Sequence, residues 1–431
     1  MATNQGCRSW VVPGSFLGRS WVDRYPEILK IVHFQFSIFN FQFSIFHSPL
    51  GLCPSILNFQ FSIFHSPLYH WYDSAKRELP WRETTDPYRI WLSEIILQQT
   101  RVQQGMDYWW RFVERFPKVE DLAAADEAEV MLLWQGLGYY SRARNLHKAA
   151  KMIVERGWAP FPTTFEDVLS LPGVGEYTAG AIMSFAYDAP YPAADGNVYR
   201  VLSRLMDCDE PFDTTAGKKI FRQFAWDLLD REHPRLHNSA IMELGALFCT
   251  PGRPDCPHCP LAAHCKAYEA GTVALLPVRK ERPKLRDRWL RYTVYLAPSP
   301  EETPAHLAET PAPLLEGNFT LIRRREDKDI WQHLWEFPLQ EFADEASFLA
   351  VQSSSHESFP VRDGKKKATD AAYLHVLSHQ RLHARFDVVR LSALPEMDGC
   401  IAIPWSRLQD YALSRLTLRF LEDFCLNLTL F

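Results

Sequence analysis

The chain reads as a multidomain protein, an all-α domain followed by a smaller α/β domain, and three observations predict this. From Tyr69 to about Ala270, apolar residues recur at three- and four-residue steps, as in Ile90–Val102, Ala125–Leu133 and Ala179–Ala186, and strand-like runs are almost absent. Beyond Trp289 the period changes to two. Tyr292, Val294 and Leu296 alternate there, and Leu382, Ala384, Phe386 and Val388 alternate with His383, Arg385 and Asp387, as in half-buried strands. Between the two patterns stand Cys249, Cys256, Cys259 and Cys265, with six, two and five residues between them. A chain of 431 residues has room for two or three domains with full cores.

Residues 1–68 follow neither pattern. The hexapeptide FQFSIF occurs at 34–39, 41–46 and 59–64, and NFQFSIFHSPL at 40–50 recurs unchanged at 58–68. Structural repeats diverge and run about 20 to 50 residues per unit, so this segment is expected to be translated repetitive sequence upstream of the true start, outside the fold. The alternative is a β-prone extension, since Phe, Ser and Ile alternate with period two. Its basic content is too low for an organelle-targeting peptide.

The second segment, 69–270, is helical, with turn signals such as Gly-Leu-Gly at 136–138. Within it, Leu171-Pro172-Gly173-Val174-Gly175 precedes a helix starting near Glu176. Gly173 and Gly175 allow a tight hairpin whose backbone N–H groups converge beside a helix N-terminus, an arrangement that binds phosphate without side-chain charge. The same five residues also suit a plain turn between core helices. The C-x6-C-x2-C-x5-C run brings four thiolates around one compact centre and suits a cubane [4Fe-4S] cluster. A four-cysteine zinc knuckle usually has two C-x2-C pairs, and only one exists here. The thiolate centre and the odd total of nine cysteines argue against an oxidising compartment.

A linker at 271–290 follows, in which Arg279, Lys280, Arg282, Lys284, Arg286, Arg288 and, just beyond it, Arg291 face only Glu281 and Asp287. It reads equally as a solvated charge run and as a phosphate contact. The α/β domain then spans 291–427 and returns to a helical pattern over Trp405–Phe424. Net charge is −5, which excludes a global basic field, so any nucleic-acid site is a local patch. No uninterrupted apolar run reaches about 18 residues, so no membrane contact is expected.

The stretches LPWRETTDPYRIWLSEIILQQTRV (79–102), LWQGLGYYSRARNLHKAA (133–150), LPGVGEYTAGAI (171–182), DGNVYRVLSR (195–204) and MELGALFC (242–249) closely resemble the MutY family of adenine DNA glycosylases, in the helix-hairpin-helix, iron–sulfur glycosylase superfamily. The resemblance is strong over 69–270 and weak over 290–425. It implies a monofunctional enzyme of base excision repair that removes adenine opposite 8-oxoguanine or guanine in duplex DNA. A monomer in the bacterial cytoplasm, with the nucleoid, is expected.

Cleaving the N-glycosidic bond requires a proton on the departing base and negative charge near the cationic sugar. Glu94, set among Trp91, Leu92, Ile95, Ile96 and Leu97, has the apolar surroundings that keep a carboxyl protonated, and it matches the family's catalytic acid. Asp195, otherwise a plain N-cap, matches the carboxylate that stabilises the sugar, with Asn197 nearby. At Tyr177 the endonuclease III branch carries a lysine that forms a Schiff base. A phenol cannot form an imine, so base removal without efficient strand scission is expected.

Further matches concern recognition. Gln99, with Thr100 beside it, and Tyr139 correspond to residues inserted into the base stack, where a wedge offsets the cost of extruding a nucleotide. Arg77, Leu79, Trp81, Arg82 and Glu243 correspond to the adenine pocket. The last domain resembles the Nudix-like domain with which the family senses 8-oxoguanine, through LWEFP at 334–338 and Leu377-Ser378-His379, where relatives commonly have Phe-Ser-His. No GxxxxxE…REUxEE box follows Pro338, so the magnesium-holding carboxylates of a pyrophosphohydrolase are missing. Two other readings remain, a bifunctional endonuclease III-like glycosylase and lyase, and a non-catalytic iron–sulfur DNA-binding protein.

Overall fold

The computed structural model describes residues 54–280, 284–298, 318–351 and 373–428. The first two copies of the repeated hexapeptide and Arg282 of the basic run lie outside the described residues. In chain order the helices are α1 (Pro54–Ala75), α2 (Pro87–Leu97), α3 (Val102–Arg115), α4 (Val119–Ala124), α5 (Glu127–Leu133), α6 (Ser141–Glu155), α7 (Phe165–Leu169), α8 (Glu176–Tyr187), α9 (Gly196–Met206), α10 (Thr215–Leu228), α11 (Pro234–Leu247), α12 (Lys266–Ala270), α13 (Glu345–Ala350) and α14 (Arg415–Leu428). The strands are β1 (Arg286–Pro298), β2 (Asn318–Arg324), β3 (Trp335–Glu336), β4 (Leu339–Phe342), β5 (Tyr373–Val376), β6 (Gln380–Arg390) and β7 (Cys400–Pro404). The chain divides into two compact units. One holds the residues up to Glu94, Thr163–Ser170 and Val174 to the linker; the other holds Ile95–Pro162, Leu171–Gly173 and the chain from the linker onward.

In the first unit, α1, α9, α10 and α11 enclose one core. Helix α9 supplies Val198, Val201, Leu202 and Leu205 at three- and four-residue steps, the stripe an amphipathic helix must bury, and Tyr72, Phe221, Ile241 and Leu244 close over it. Helix α11 comes very close to α9 because Gly245 has no side chain. A Cβ there would lie 2.8 Å from the Cβ of Asn197 and 3.0 Å from its carbonyl oxygen.

The fold begins earlier than Tyr69. Helix α1 runs through the second copy of the repeat at 58–68, so that copy is helical and not a β-prone edge. Leu68 is fully buried, and His65 Nε2 donates to the Leu228 carbonyl at 3.0 Å. Placing 1–68 wholly outside the fold is therefore corrected: His65, Leu68 and Tyr72 form one buried stripe, and the unchanged repeat masked it. We expect Leu68→Ala to cost about 2–5 kcal/mol in denaturant unfolding. Unchanged stability would show that the helix is dispensable.

The second unit contains α3–α6 and the C-terminal domain. The apolar run Ile90–Val102 is two helices and not one. Helix α2 ends at Leu97 and α3 starts at Val102, because Gln99 adopts a left-handed backbone (φ 57°) that no helix can continue. In the C-terminal domain the strands follow the order β3-β2-β1-β6-β5, with β4 also on β1 and β7 on β2; β1 and β6 are parallel and the other pairs antiparallel. Leu290, Tyr292, Val294 and Leu296 of β1 and Leu382, Ala384, Phe386 and Val388 of β6 form its core with Leu416, Phe420 and Phe424 of α14. The predicted helix over Trp405–Phe424 is a short 3-10 turn (Trp405–Asp410) followed by α14.

The basic run also needs correction. Strand β1 begins inside it, and the two-residue period turns Arg288 and Arg291 into the domain. Arg288 pairs with Asp329 at 2.5 Å and Glu341 at 2.6 Å, and Arg291 pairs with Asp387. These two guanidinium groups hold the sheet together and have no reach to a phosphate.

Candidate functional site

Helix α2 carries Glu94 on a face lined by Ile90, Trp91 and Leu92, and only 8% of it is exposed. Tyr177, in the first turn of α8, donates its hydroxyl to Glu94 Oε2 at 2.8 Å. Burial pushes the Glu94 carboxyl up to about 7; the Tyr177 hydrogen bond works against this and the charge of Asp195 adds to it. The Tyr177 hydroxyl, itself buried beside both carboxylates, is held well above its ordinary pKa and stays a donor. Asp195 caps α9: its Oδ1 accepts from the backbone N–H groups of Asn197 (2.9 Å) and Val198 (2.8 Å), and its Oδ2 accepts from the Asn197 amide at 2.9 Å. Burial raises its pKa while those three bonds oppose the rise. Two carboxyls in one buried site are thus driven apart, one toward the acid form and one held as the charged form by donors.

Glu243 on α11 is completely buried and gathers the arginines. Arg77 gives it three bonds, from its backbone N–H at 2.9 Å, Nε at 2.8 Å and Nη2 at 2.7 Å, and Arg82 adds Nη2 at 2.8 Å. Burial alone would raise this carboxyl, but the arginine hydrogen bonds pull it down to about 2. Leu79 is buried and caps the short 3-10 turn Pro80–Arg82, which also contains the half-buried Trp81.

Cys249, Cys256, Cys259 and Cys265 carry free thiols and line one cavity with Arg204, Phe248 and Tyr268. Burial pushes the Cys259 thiol up to about 12 and raises Cys256 and Cys265, so a metal centre must displace their protons. Among the described residues no three or more His, Cys, Asp or Glu converge as a single metal ion requires; the four thiols surround a volume and not a point. Arg200 links this loop to the carboxylate. Its Nε donates to the Cys249 carbonyl at 2.7 Å, and its Nη2 donates to Asn197 Oδ1 at 2.9 Å and the Gly245 carbonyl at 2.6 Å. Arg204, one turn on, donates to Cys249 Sγ at 3.2 Å and the Thr250 carbonyl at 3.0 Å.

In the second unit, Gln99, Tyr139 and Gly173 line one open cavity of about 240 Å³, together with Gln98, Arg142 and Asn145. Gln99 is exposed and Tyr139 is 46% exposed, unusual for a tyrosine without a partner surface. Thr100, beside them, accepts from Arg142. Gly173 has φ 80°, and a Cβ there would lie 2.9 Å from Asn145 Cβ, so the hairpin requires glycine. Gly175 is the residue that caps α8. Ser378 and His379 stand in the exposed turn between β5 and β6, with Ser378 Oγ 3.1 Å from His379 Nδ1.

Arg142, Arg200 and Arg204 were not singled out by sequence reasoning. The one available signal is that Arg200 and Arg204 fall on the buried side of α9, among residues that otherwise read as core.

Residues 92–228 match the HhH-GPD superfamily of base excision DNA repair proteins, and residues 313–423 match the NUDIX domain. The chain is 38% identical over 306 residues to the adenine DNA glycosylase of Mus musculus, covering 63% of this chain and 59% of that protein. It is 32% identical over 331 residues to the adenine DNA glycosylase of Buchnera aphidicola subsp. Schizaphis graminum, covering 75% of this chain and 87% of that protein. A solved structure of a thermostable thymine-DNA glycosylase is 26% identical, with a TM-score of 0.45, covering 50% of this chain and 99% of that one. No helix among the described residues is long and apolar enough to cross a membrane. A chain that spans 87% of an adenine DNA glycosylase at 32% identity, with the base-excision region followed by the NUDIX region, belongs to the adenine DNA glycosylase family.

Proposed function

We propose that this chain acts as a monomer on duplex DNA, wherever the cell keeps it, and removes adenine standing opposite 8-oxoguanine or guanine, leaving the strand uncut. The observation that carries this reading is the buried Glu94 carboxyl with its pKa near 7, bonded to Tyr177 and set beside the charge of Asp195. In its protonated form Glu94 donates to a ring nitrogen of the departing adenine. Asp195 keeps its charge through its capping bonds and stabilises the oxocarbenium-like sugar, while Asn197 fixes its orientation. Tyr177 orients the acid and offers no amine for a covalent intermediate. Arg77, Arg82 and Glu243 meet the flipped base as one ion-paired wall, with Leu79 and Trp81 as its apolar side. Gln99, Thr100 and Tyr139 wedge the stack, and the hairpin at Gly173 and Gly175 holds a phosphate.

The four cysteines fit a [4Fe-4S] cluster, since free thiols line one shared cavity. Such a cluster supplies a rigid tie across the loop and no step in the reaction. The C-terminal domain reads the lesion through Ser378 and His379. Replacing both with alanine should lower the preference for 8-oxoguanine over guanine about 5- to 150-fold, the cost of one or two lost base contacts. An unchanged ratio of excision rates on the two duplexes would give the domain another role.

The test of the whole reading is base release from duplexes with adenine opposite 8-oxoguanine, guanine and thymine. Release from the first two without strand breakage is expected. Release of oxidised pyrimidines with strand cleavage, or stoichiometric binding without turnover, would overturn it.

A further inference from the structure

We infer that Arg142 is the positioning residue that sets both inserted side chains, Gln99 and Tyr139, and the inference rests on the wedging role proposed above. Arg142, on α6, is 8% exposed, and its guanidinium reaches two separate chain segments. From the first it takes the carbonyls of Ile95 (3.0 Å), Ile96 (2.8 Å) and Gln98 (2.6 Å) and the hydroxyl of Thr100 (3.3 Å). From the second it takes the carbonyls of Leu137 (3.4 Å) and Gly138 (3.1 Å). The same group lies over the rings of Trp134, at 4.9 Å, and Tyr139, at 5.6 Å.

None of these partners is a carboxylate. A buried cation without a counter-charge is costly, and here the cost is offset by neutral oxygens, two of them orphan carbonyls at the negative end of α2. Core packing alone does not call for such an arrangement; a long apolar side chain would fill the same space without desolvating a charge. The detail that gives it a purpose is where the bonds fall. Gln98 and Gly138 immediately precede Gln99 and Tyr139, the residues with left-handed backbone at φ 57° and φ 47°. That conformation is unfavourable for any residue with a Cβ and persists only where its surroundings hold it. Arg142 fixes the peptide plane ahead of each one, so a single planar fork keeps both side chains aimed out of the protein at once. A lysine has the charge but not the fork, and it cannot span the two segments.

The test compares single-turnover excision by wild type, Gln99→Ala, Tyr139→Ala, Arg142→Lys and the double variant Arg142→Lys/Tyr139→Ala. Each is measured on adenine opposite 8-oxoguanine and on adenine opposite an abasic site, where little stacking and no pairing must be broken. The ratio of the two rates cancels any loss of folded protein. Arg142→Lys should slow excision opposite 8-oxoguanine about 10- to 100-fold, the loss expected for charge-assisted hydrogen bonds, and recover most of that on the abasic duplex. The double variant should be no slower than the slower single variant, because both changes act through one wedge. Equal losses on both duplexes, or losses that multiply in the double variant, would overturn the inference and leave Arg142 as a support of the fold alone. Wild-type rates for Gln99→Ala and Tyr139→Ala would instead sink the wedging role itself.

Discussion

Glu94→Gln should leave a folded protein that binds its mismatch and releases almost no adenine. The amide keeps the size of the acid and can still accept the Tyr177 hydroxyl, now bonded at 2.8 Å, but it cannot deliver the proton the leaving base requires. General acid catalysis of this kind is worth about 10²- to 10⁴-fold, and single-turnover base release should fall by that much. A rate near wild type would remove Glu94 from the role of acid. The wild-type rate should also fall as pH rises through about 7, where this carboxyl ionises. Because its pKa is raised in the folded state, the neutral carboxyl contributes stability that is fully present below the ordinary carboxylate range and is lost as pH passes about 7. Glu94→Gln should flatten that slope in equilibrium unfolding between about pH 5 and 8.

Cys256→Ala should turn a brown protein colourless and cost it activity as well as stability. We expect about four irons per chain in the wild type and a marked loss of iron in the variant, measured by absorbance and metal analysis. The effect on activity follows from the bonds that leave the loop. Cys249 holds Arg200 through its carbonyl, Arg200 holds Asn197, and Asn197 holds Asp195. Stoichiometric zinc without iron would replace the cluster by another metal centre.

Much of the candidate site was legible because it depends on local spacing. The cysteine intervals, the apolar neighbours of Glu94 and the glycines around Val174 each express a constraint within a few residues of themselves. The break between α2 and α3 was not legible, since the apolar period continues across Gln98–Arg101 while the bonds that end the helix come from Arg142, 42 to 47 residues away along the chain. Arg200 was hidden for the same reason: its partners include the carbonyls of Gly245 and Cys249, and backbone acceptors have no signature of their own. Arg288 and Arg291 misled in the opposite sense. A charge run has the same composition whether it is solvated or buried as the pairs with Asp329, Glu341 and Asp387, and only the strand partners distinguish the two.

The close approach at Gly245 bears on inherited damage. One added methyl group there would meet the Cβ of Asn197 at 2.8 Å, so α11 would have to move away from α9. That movement would pull the Gly245 carbonyl from Arg200 and disturb the start of the cysteine loop, which follows four residues later at Cys249. A glycine-to-alanine change keeps charge and polarity and by most substitution scales ranks as mild. At this position it would act as a severe lesion in the repair protein, and a clinical or genetic survey that scored variants by chemical similarity would pass over it.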